Sequence, residues 1–490
     1  MDGLHVEREV SVLKGRNFIG GMLRVINDSQ IKSIHETALQ ILEEIGIEVF
    51  SQPVLEIFRQ RGARVENDSK ACLSREMVEW AISSAPHCVL LAGQAEENDL
   101  RLEKNRVFLG TGGVGLQILE TETNHKRPAT LRDLADIARL CDYLENIHFF
   151  LRPVEAPDLP PLELDLCKFY IALMNTRKHV MGGVYRKESI KAVTQMASLI
   201  AGGLERLRER PLVSFICQLI SPLRYDTETA EVLVETVRTG LPVAVGSSPV
   251  AGSTGPATLA GTMALAHAEV LSGIVLTQLI HSGAPVLYGP IPRPVNWRSM
   301  KGLKGGVESG LMNAAMTQIA NFIGIPQYAD AGGTEAKAPD IQAGYEKATN
   351  ILLVALAGGN YIHHSAGLLE SDSVACLEQY VLDNDIIGMA LRVLRGLTVG
   401  KEFLAFEIIE RTGPGGNFLT DPHTLQNMRT GEIFIPSTTS PSDSNPVEKA
   451  RIRVREILDH HQIEVDLRID EAIRKQFNLK VTREGDRISG

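Results

Sequence analysis

Eight times between residues 106 and 369 a short β-branched apolar run is followed by an amphipathic stretch, and this cadence limits the possible folds more than any other feature. The runs cover residues 107–119, 148–155, 179–185, 212–220, 242–250, 284–290, 325–331 and 360–369. Each is short enough for a strand, and continuous apolarity marks strands buried on both faces. The intervening segments place apolar residues at i, i+3 and i+4, the period of a helix with one buried face. Eight such βα units predict an α/β chain closed into a (β/α)8 TIM barrel, a fold of about 250 residues. In that fold the chemistry sits at the C-terminal ends of the strands and in the loops that follow, so the search for function narrows to eight windows.

The chain has 490 residues, so flanking parts surround the barrel. Residues 1–105 read as an α+β cap, 106–400 as the barrel and 401–490 as a C-terminal helical extension packed on it. In the cap, Asn27 or Asp28 starts a helix with Ile31, Ile34, Ala38, Ile41 and Leu42 on one face, ending at Gly46. A second helix follows Ser74, runs through Met77, Trp80 and Ala81, and stops before Pro86. Residues 47–49, 72–73, 88–92 and 100–102 read as short strands. Residues 434–446, rich in Ser, Thr, Pro and Asp, read as a linker or wrapping loop before helices at 447–460 and 469–477.

A net charge of −10 with scattered basic residues argues against a nucleic-acid or anionic-membrane partner. Six cysteines without a C-x-x-C pair suggest neither a metal cluster nor a disulfide framework, and free thiols fit a reducing cytoplasm. No secretory leader is recognised, and no apolar stretch is expected to reach the ~18 residues of a membrane span. The expectation is a cytoplasmic protein.

Residues 110–115 are glycine-rich, but neither a Lys-Ser/Thr nor a helix-opening G-x-G-x-x-G accompanies them. They read as a place where a strand bends or approaches a ligand closely. The other windows are rich in aromatics for a chain with only 5% of them: Tyr185, Phe215, Tyr288, Tyr328 and Tyr361, with Trp297 one loop beyond the sixth strand. Rings converging on one cavity hold a quaternary ammonium, at about 0.5–2 kcal/mol per ring, although strand parity requires some of them to fill the interior or face the helices. Arg293, fixed between prolines beside the mouth, can take a carboxylate, or it is a solvated loop charge or an interface residue. The seventh-strand exit, with Gly332, Gly333, Thr334 and Lys337, leads to a helix starting near Pro339 or Asp340, whose N-terminus can receive an anion. Together these features point to a zwitterionic ligand.

His363 and His364 are the candidate catalytic residues. Neighbours on a strand point to opposite faces, so only one is expected to look inward. Without H-x-H or H-E-x-x-H beside them, a hydrogen-bonding role outweighs a metal site, and no metal is assigned. No Ser-His-Asp arrangement or G-x-S-x-G supports hydrolysis.

Residues 23–31, 34–39 and 41–49, the segment 331–346 with its Thr-Glu-Ala-Lys, Pro-Asp and Gln-Ala-Gly-Tyr-Glu, and residues 417–434 resemble the trimethylamine methyltransferase superfamily over nearly the whole chain. Founding members of that superfamily use pyrrolysine to activate trimethylamine for methyl transfer to the cobalt of a separate corrinoid protein. The resemblance places the pyrrolysine position near Gly332 or Gly333, where a glycine would open space and remove the electrophile. It therefore implies a quaternary amine as substrate, with glycine betaine, giving dimethylglycine, ahead of proline betaine, carnitine, γ-butyrobetaine and choline.

A quaternary N-methyl already has a neutral amine as its leaving group. Attack by Co(I) then needs no acid or base from the enzyme, and orientation in a dry cavity supplies the catalysis. The resemblance further implies that the corrinoid (cobalamin) arrives on a cognate partner protein docking over the strand C-termini, with no tightly bound cofactor in this chain. Asp421-Pro422-His423 shares two elements of the carrier signature Asp-x-His-x-x-Gly but lacks its glycine. A homo-oligomer associating through outer helices is expected. Two other readings stay open: a metal-dependent barrel lyase or methyltransferase, motivated by His363, His364 and Glu370, and a silent methylated-amine sensor.

Overall fold

A computed structural model describes residues 18–156, 159–428, 431–439 and 445–486. Eight short strands carry the cadence: β1 Phe108–Leu109, β2 Phe150–Leu151, β3 Val180–Gly182, β4 Val213–Leu219, β5 Val243–Ser247, β6 Val286–Pro290, β7 Tyr328–Asp330 and β8 Tyr361–His363. Strands β2 to β6 pair in parallel in sequence order, and β7, β8 and β1 form a second parallel run. Single parallel bridges, Gly110 with Phe149 and Tyr288 with Gln327, join the two runs at both ends, so the pairings return to their start.

A helix follows each strand: α1 Leu131–Tyr143, α2 Pro161–Asn175, α3 Lys187–Ala201, α4 Thr227–Thr239, α5 Leu259–Ile280, α6 Val307–Ile323, α7 Ile341–Ala357 and α8 Leu377–Leu394. Their starts are written locally: Thr130, Asp226 and Asp340 each accept a backbone N–H of the first turn, which an uncapped helix would leave unbonded.

The first and eighth strands fall furthest short of their apolar runs. After Leu109 the chain leaves extended geometry, Gly113 adopting φ 98°, and residues 117–120 instead form a ribbon with His125–Pro128 outside the ring. Close approach requires these glycines. A Cβ at Gly110 would meet the Phe149 ring at 2.4 Å, and one at Gly112 the backbone nitrogen of His364 at 2.7 Å. The eighth run breaks at His364, with φ 61°, and Leu368–Leu369 pairs with Val374–Ala375 instead.

Inside the ring, Phe149 stacks on Tyr361 at 3.5 Å between ring centres, and Tyr361 on Tyr328 at 5.7 Å. The antiparallel hairpin Cys88–Leu91 and Leu100–Glu103 adds Val89, Leu91, Leu100 and Leu102 to this inner cluster. It closes the N-terminal end, because Ala92 bonds to Pro211, Gln94 to Arg177, and Asn360 to Lys104, all just before ring strands.

The rest of the cap packs outside. The Asp28–Gln40 helix carries the capping box Asn27/Gln30 and ends in a π-turn before Gly46. Strand Ile47–Val49 pairs antiparallel with Lys70–Cys72 and parallel with Arg224–Tyr225, which ties the cap to the segment after β4. Helix Arg75–Ser84 starts after Ser74 as expected, and helix Gln52–Gln60 was not signalled.

Helix α5 corrects the expectation that no apolar stretch is long enough to span a membrane: its 22 residues qualify by length and composition. It is apolar all round because strands cover one side and cap helices the other, and 83% of its most apolar window is buried in the protein. At the C-terminal end, helices Pro446–His460 and Leu467–Gln476 form near their predicted limits, the first against α8 and α1. Ser437 and Thr438 bond to Asp385 of α8, so residues 434–439 wrap the surface as read; residues 440–444 of that stretch lie outside the described residues. Short helices Phe406–Thr412 and Pro422–Asn427 were also not foreseen.

Phe149 is fully buried in the inner stack, so Phe149→Ala should cost about 3–5 kcal/mol in urea unfolding, against under about 0.5 for Ile341→Ala, whose side chain is 86% exposed.

His179, fully buried, faces the Ala92 and Pro211 carbonyls through Nδ1 and Ser214 through Nε2; burial lowers its pKa to about 4. The unfolded chain therefore takes up this proton first. From pH 6.5 down to about 4 the histidine should remove about 1.4 kcal/mol of stability per pH unit, and His179→Gln should reduce the total slope by that share in urea titrations at pH 7, 6 and 5.

Candidate active site

A cavity of about 470 Å³ opens at the C-terminal ends of β2, β3 and β4, beside the exits of β7 and β8. Its floor is Tyr328, Leu151 and Ile216, and Gln218 of β4 projects into it. Tyr328 is the upper ring of the interior stack and also lies against His363, 4.0 Å between ring centres. One wall is charged. Arg152 lies 3.1 Å from Glu155, and Lys168 of α2 lies 2.5 Å from Asp165, with all four side chains buried or nearly so. The Tyr185 hydroxyl donates to Glu155 at 2.8 Å while the Lys168 ammonium sits 5.0 Å from the Tyr185 ring centre. Burial, then repulsion from Arg152, lowers Lys168 to about 8; burial and the Glu155 bond raise Tyr185 to about 12.

A second polar group adjoins the first at the β7 and β8 exits. His364 Nδ1 donates to Asp330 Oδ1 at 2.8 Å, its Nε2 lies 3.6 Å from Asp372, and Lys304 pairs with Asp372. Burial and then the Lys304 charge lower His364 to about 4, and burial lowers Lys304 to about 8. For Asp330 burial acts upward, but Lys304 and His364 outweigh it and hold the carboxyl far below the usual range.

The expectation that only one of His363 and His364 looks inward is overturned. The positive φ of His364 takes it out of strand alternation, and the two rings meet edge to face at 4.1 Å, with His364 lining the cavity.

The predicted ligand-binding residues divide sharply. Tyr185 and Tyr328 line the cavity, and Tyr361 lies directly beneath Tyr328. Phe215 points to the helix layer and meets Phe169. Tyr288 also points outward, its hydroxyl 2.8 Å from His267 of α5. Strand parity decides both. Trp297 is 65% exposed and borders a separate depression with Asn296 and Glu308. Arg293 donates to Ser248 and feels the charges of Asp330 and Glu335, outside the cavity lining.

The strand-seven exit holds no open space for a long side chain. Gly332 has φ 97° and a Cβ there would meet Ser365 at 2.7 Å; at Gly333 it would meet the Lys304 side chain at 2.8 Å. Thr334 is turned to Glu346, and Lys337 is exposed. Asp340 itself caps α7, so that helix start already has its anion. Glu370 pairs with Lys126 rather than joining the histidines. Asp421 caps a short helix and pairs with Arg411, a structural use of the partial carrier signature. Sequence reasoning missed Arg152, Lys168, Gln218, Lys304, Asp330 and Asp372. Asp330 carried a signal, a carboxylate within an apolar run.

The family model for trimethylamine methyltransferase (MTTB) matches residues 11–474. The chain belongs to the trimethylamine methyltransferase family. It is 37% identical to the trimethylamine methyltransferase MttB of Desulfitobacterium hafniense (strain DSM 10664 / DCB-2), covering 75% of this chain and 74% of that protein. It is 34% identical to the glycine betaine methyltransferase of Desulfitobacterium hafniense (strain Y51), covering 88% and 90%. Among solved structures, the Methanosarcina barkeri monomethylamine methyltransferase (MtmB) aligns with TM-score 0.51 at 12% identity, covering 95% of this chain and 93% of that one, which bears on fold alone.

Removing Asp330 takes away the carboxylate that His364 Nδ1 bonds and whose charge Lys304 feels, leaving that buried positive charge to Asp372 alone among these carboxylates. Asp330→Ala should therefore cost about 3–5 kcal/mol in urea unfolding, and Asp330→Asn, which can still accept from His364, distinctly less.

Proposed function

We propose that this methyltransferase takes a methyl group from a quaternary amine, glycine betaine first, and delivers it to the reduced cobalt of a corrinoid on a separate protein. The observation that carries the reading is the cavity itself: an aromatic floor, Tyr328, faces a wall bearing Arg152 and Lys168 at the strand exits. A trimethylammonium head cannot donate a hydrogen bond and is held by a ring face. The carboxylate end of a betaine is met by Arg152 and Lys168, the place first looked for at Arg293. The relative named glycine betaine methyltransferase, matched over most of both chains, supports that order of substrates.

The eight strands, on this reading, form a (β/α)8 barrel at residues 106–400, between a cap at 1–105 and an extension at 401–490. The corrinoid supplies a strong cobalt nucleophile when its carrier docks. Exposed Val114, Leu116 and Tyr185 beside the cavity offer the carrier an apolar seat. This chain binds the amine, turns one N-methyl outward and excludes water. The C–N bonding electrons remain on nitrogen as the lone pair of dimethylglycine, so no proton has to move. A cytoplasmic homo-oligomer completes the proposal, with the exposed Leu397, Phe406, Leu419 and Ile433 as an association face.

Incubation with glycine betaine, reduced corrinoid carrier and this chain should yield dimethylglycine by mass spectrometry. Tyr328→Ala should lower kcat/KM by about 2- to 30-fold, the equivalent of one ring–cation contact, while Tyr328→Phe leaves it nearly unchanged. Absence of product from glycine betaine and from the other quaternary amines would sink the reading.

A further inference from the structure

Three side chains at the mouth have no part in amine binding as proposed. Asp330 ends β7, His363 ends β8 and His364 follows it, and one potential ligand atom from each lies within 4.8 Å of the other two. His363 is fully buried, yet neither of its ring nitrogens has a hydrogen-bond partner. Leaving such a group unsatisfied costs about 1–3 kcal/mol, so its environment lacks a partner that a bound ion would supply.

We propose that Asp330, His363 and His364 bind a divalent metal ion of zinc-like character, with a remaining coordination position turned toward the cavity. Two imidazoles and a carboxylate are a donor set that such ions take, three protein ligands leaving a fourth position open. Asp330 Oδ1 and His364 Nδ1 are 2.8 Å apart, near the separation of about 3.3 Å between ligand atoms of a tetrahedral zinc with bonds of about 2.0 Å. His363 already offers a ring nitrogen within 4.8 Å of the other two ligand atoms, and a small shift within its stack on Tyr328, which no hydrogen bond opposes, completes the set.

When His364 Nδ1 binds the ion, the proton of that imidazole moves to Nε2, which lies 3.6 Å from Asp372. That is the carboxylate–histidine–metal arrangement that orients a ligating ring. Charge permits the ion: Asp330, Glu335 and Asp372 stand against Arg293 and Lys304.

The inference is independent of the amine reading, and its test uses neither amine nor corrinoid. The full chain, stripped with a chelator, is titrated with Zn²⁺ by calorimetry, and its metal content is measured after dialysis. One zinc per chain is expected. His363→Gln and His364→Asn should each weaken binding by about 100-fold or more, and Asp372→Asn by about 10- to 100-fold. Asn tolerates the positive φ at position 364, so that variant is expected to fold even if His363→Gln does not, with circular dichroism as the check. Failure of the wild-type chain to take up stoichiometric zinc, or unchanged affinity in any folded variant of the three, overturns the proposal.

Discussion

The stack Phe149–Tyr361–Tyr328 is the contact on which the rest of the molecule depends. It fills the interior from the hairpin upward and ends as the floor of the cavity. A single column of rings thus serves as core at its lower end and as binding surface at its upper end. Any loosening below is transmitted to the mouth, because closely packed rings have few alternative arrangements.

Around that column the glycines act by omission. Gly110 and Gly112 let the chain pass within contact of Phe149 and His364, and this close passage turns the first apolar run away from the ring. His364, at positive φ, does the converse at the end of the neighbouring strand by bringing a second imidazole to the mouth. Both departures from strand geometry border the cavity, where the chemistry of such a fold is placed.

Much of the scaffold was legible because its signals are local. The cadence located all eight strand positions, and Ser74, Asn27 and Asp340 announced their helices through capping chemistry. The lengths of β1 and β8 were not legible, since apolar residues continue past the point where close approach bends the chain. The site was legible only in part. Aromatic enrichment found Tyr185 and Tyr328, but parity sent Phe215 and Tyr288 to the helix layer, a choice set by register rather than by residue type. Arg152 and Lys168 could not be picked out, because their role comes from burial beside Glu155 and Asp165, and α2 brings that wall together only in three dimensions.

The central claim is that a quaternary nitrogen rests on the upper end of the ring column. The most direct measurement is a crystal structure of the chain soaked with glycine betaine. The account predicts density for the three methyls within about 6 Å of the Tyr328 ring centre, with the carboxylate toward Arg152 and Lys168. Density for the betaine in the depression beside Trp297, with the Tyr328 cavity filled only by solvent, would contradict it.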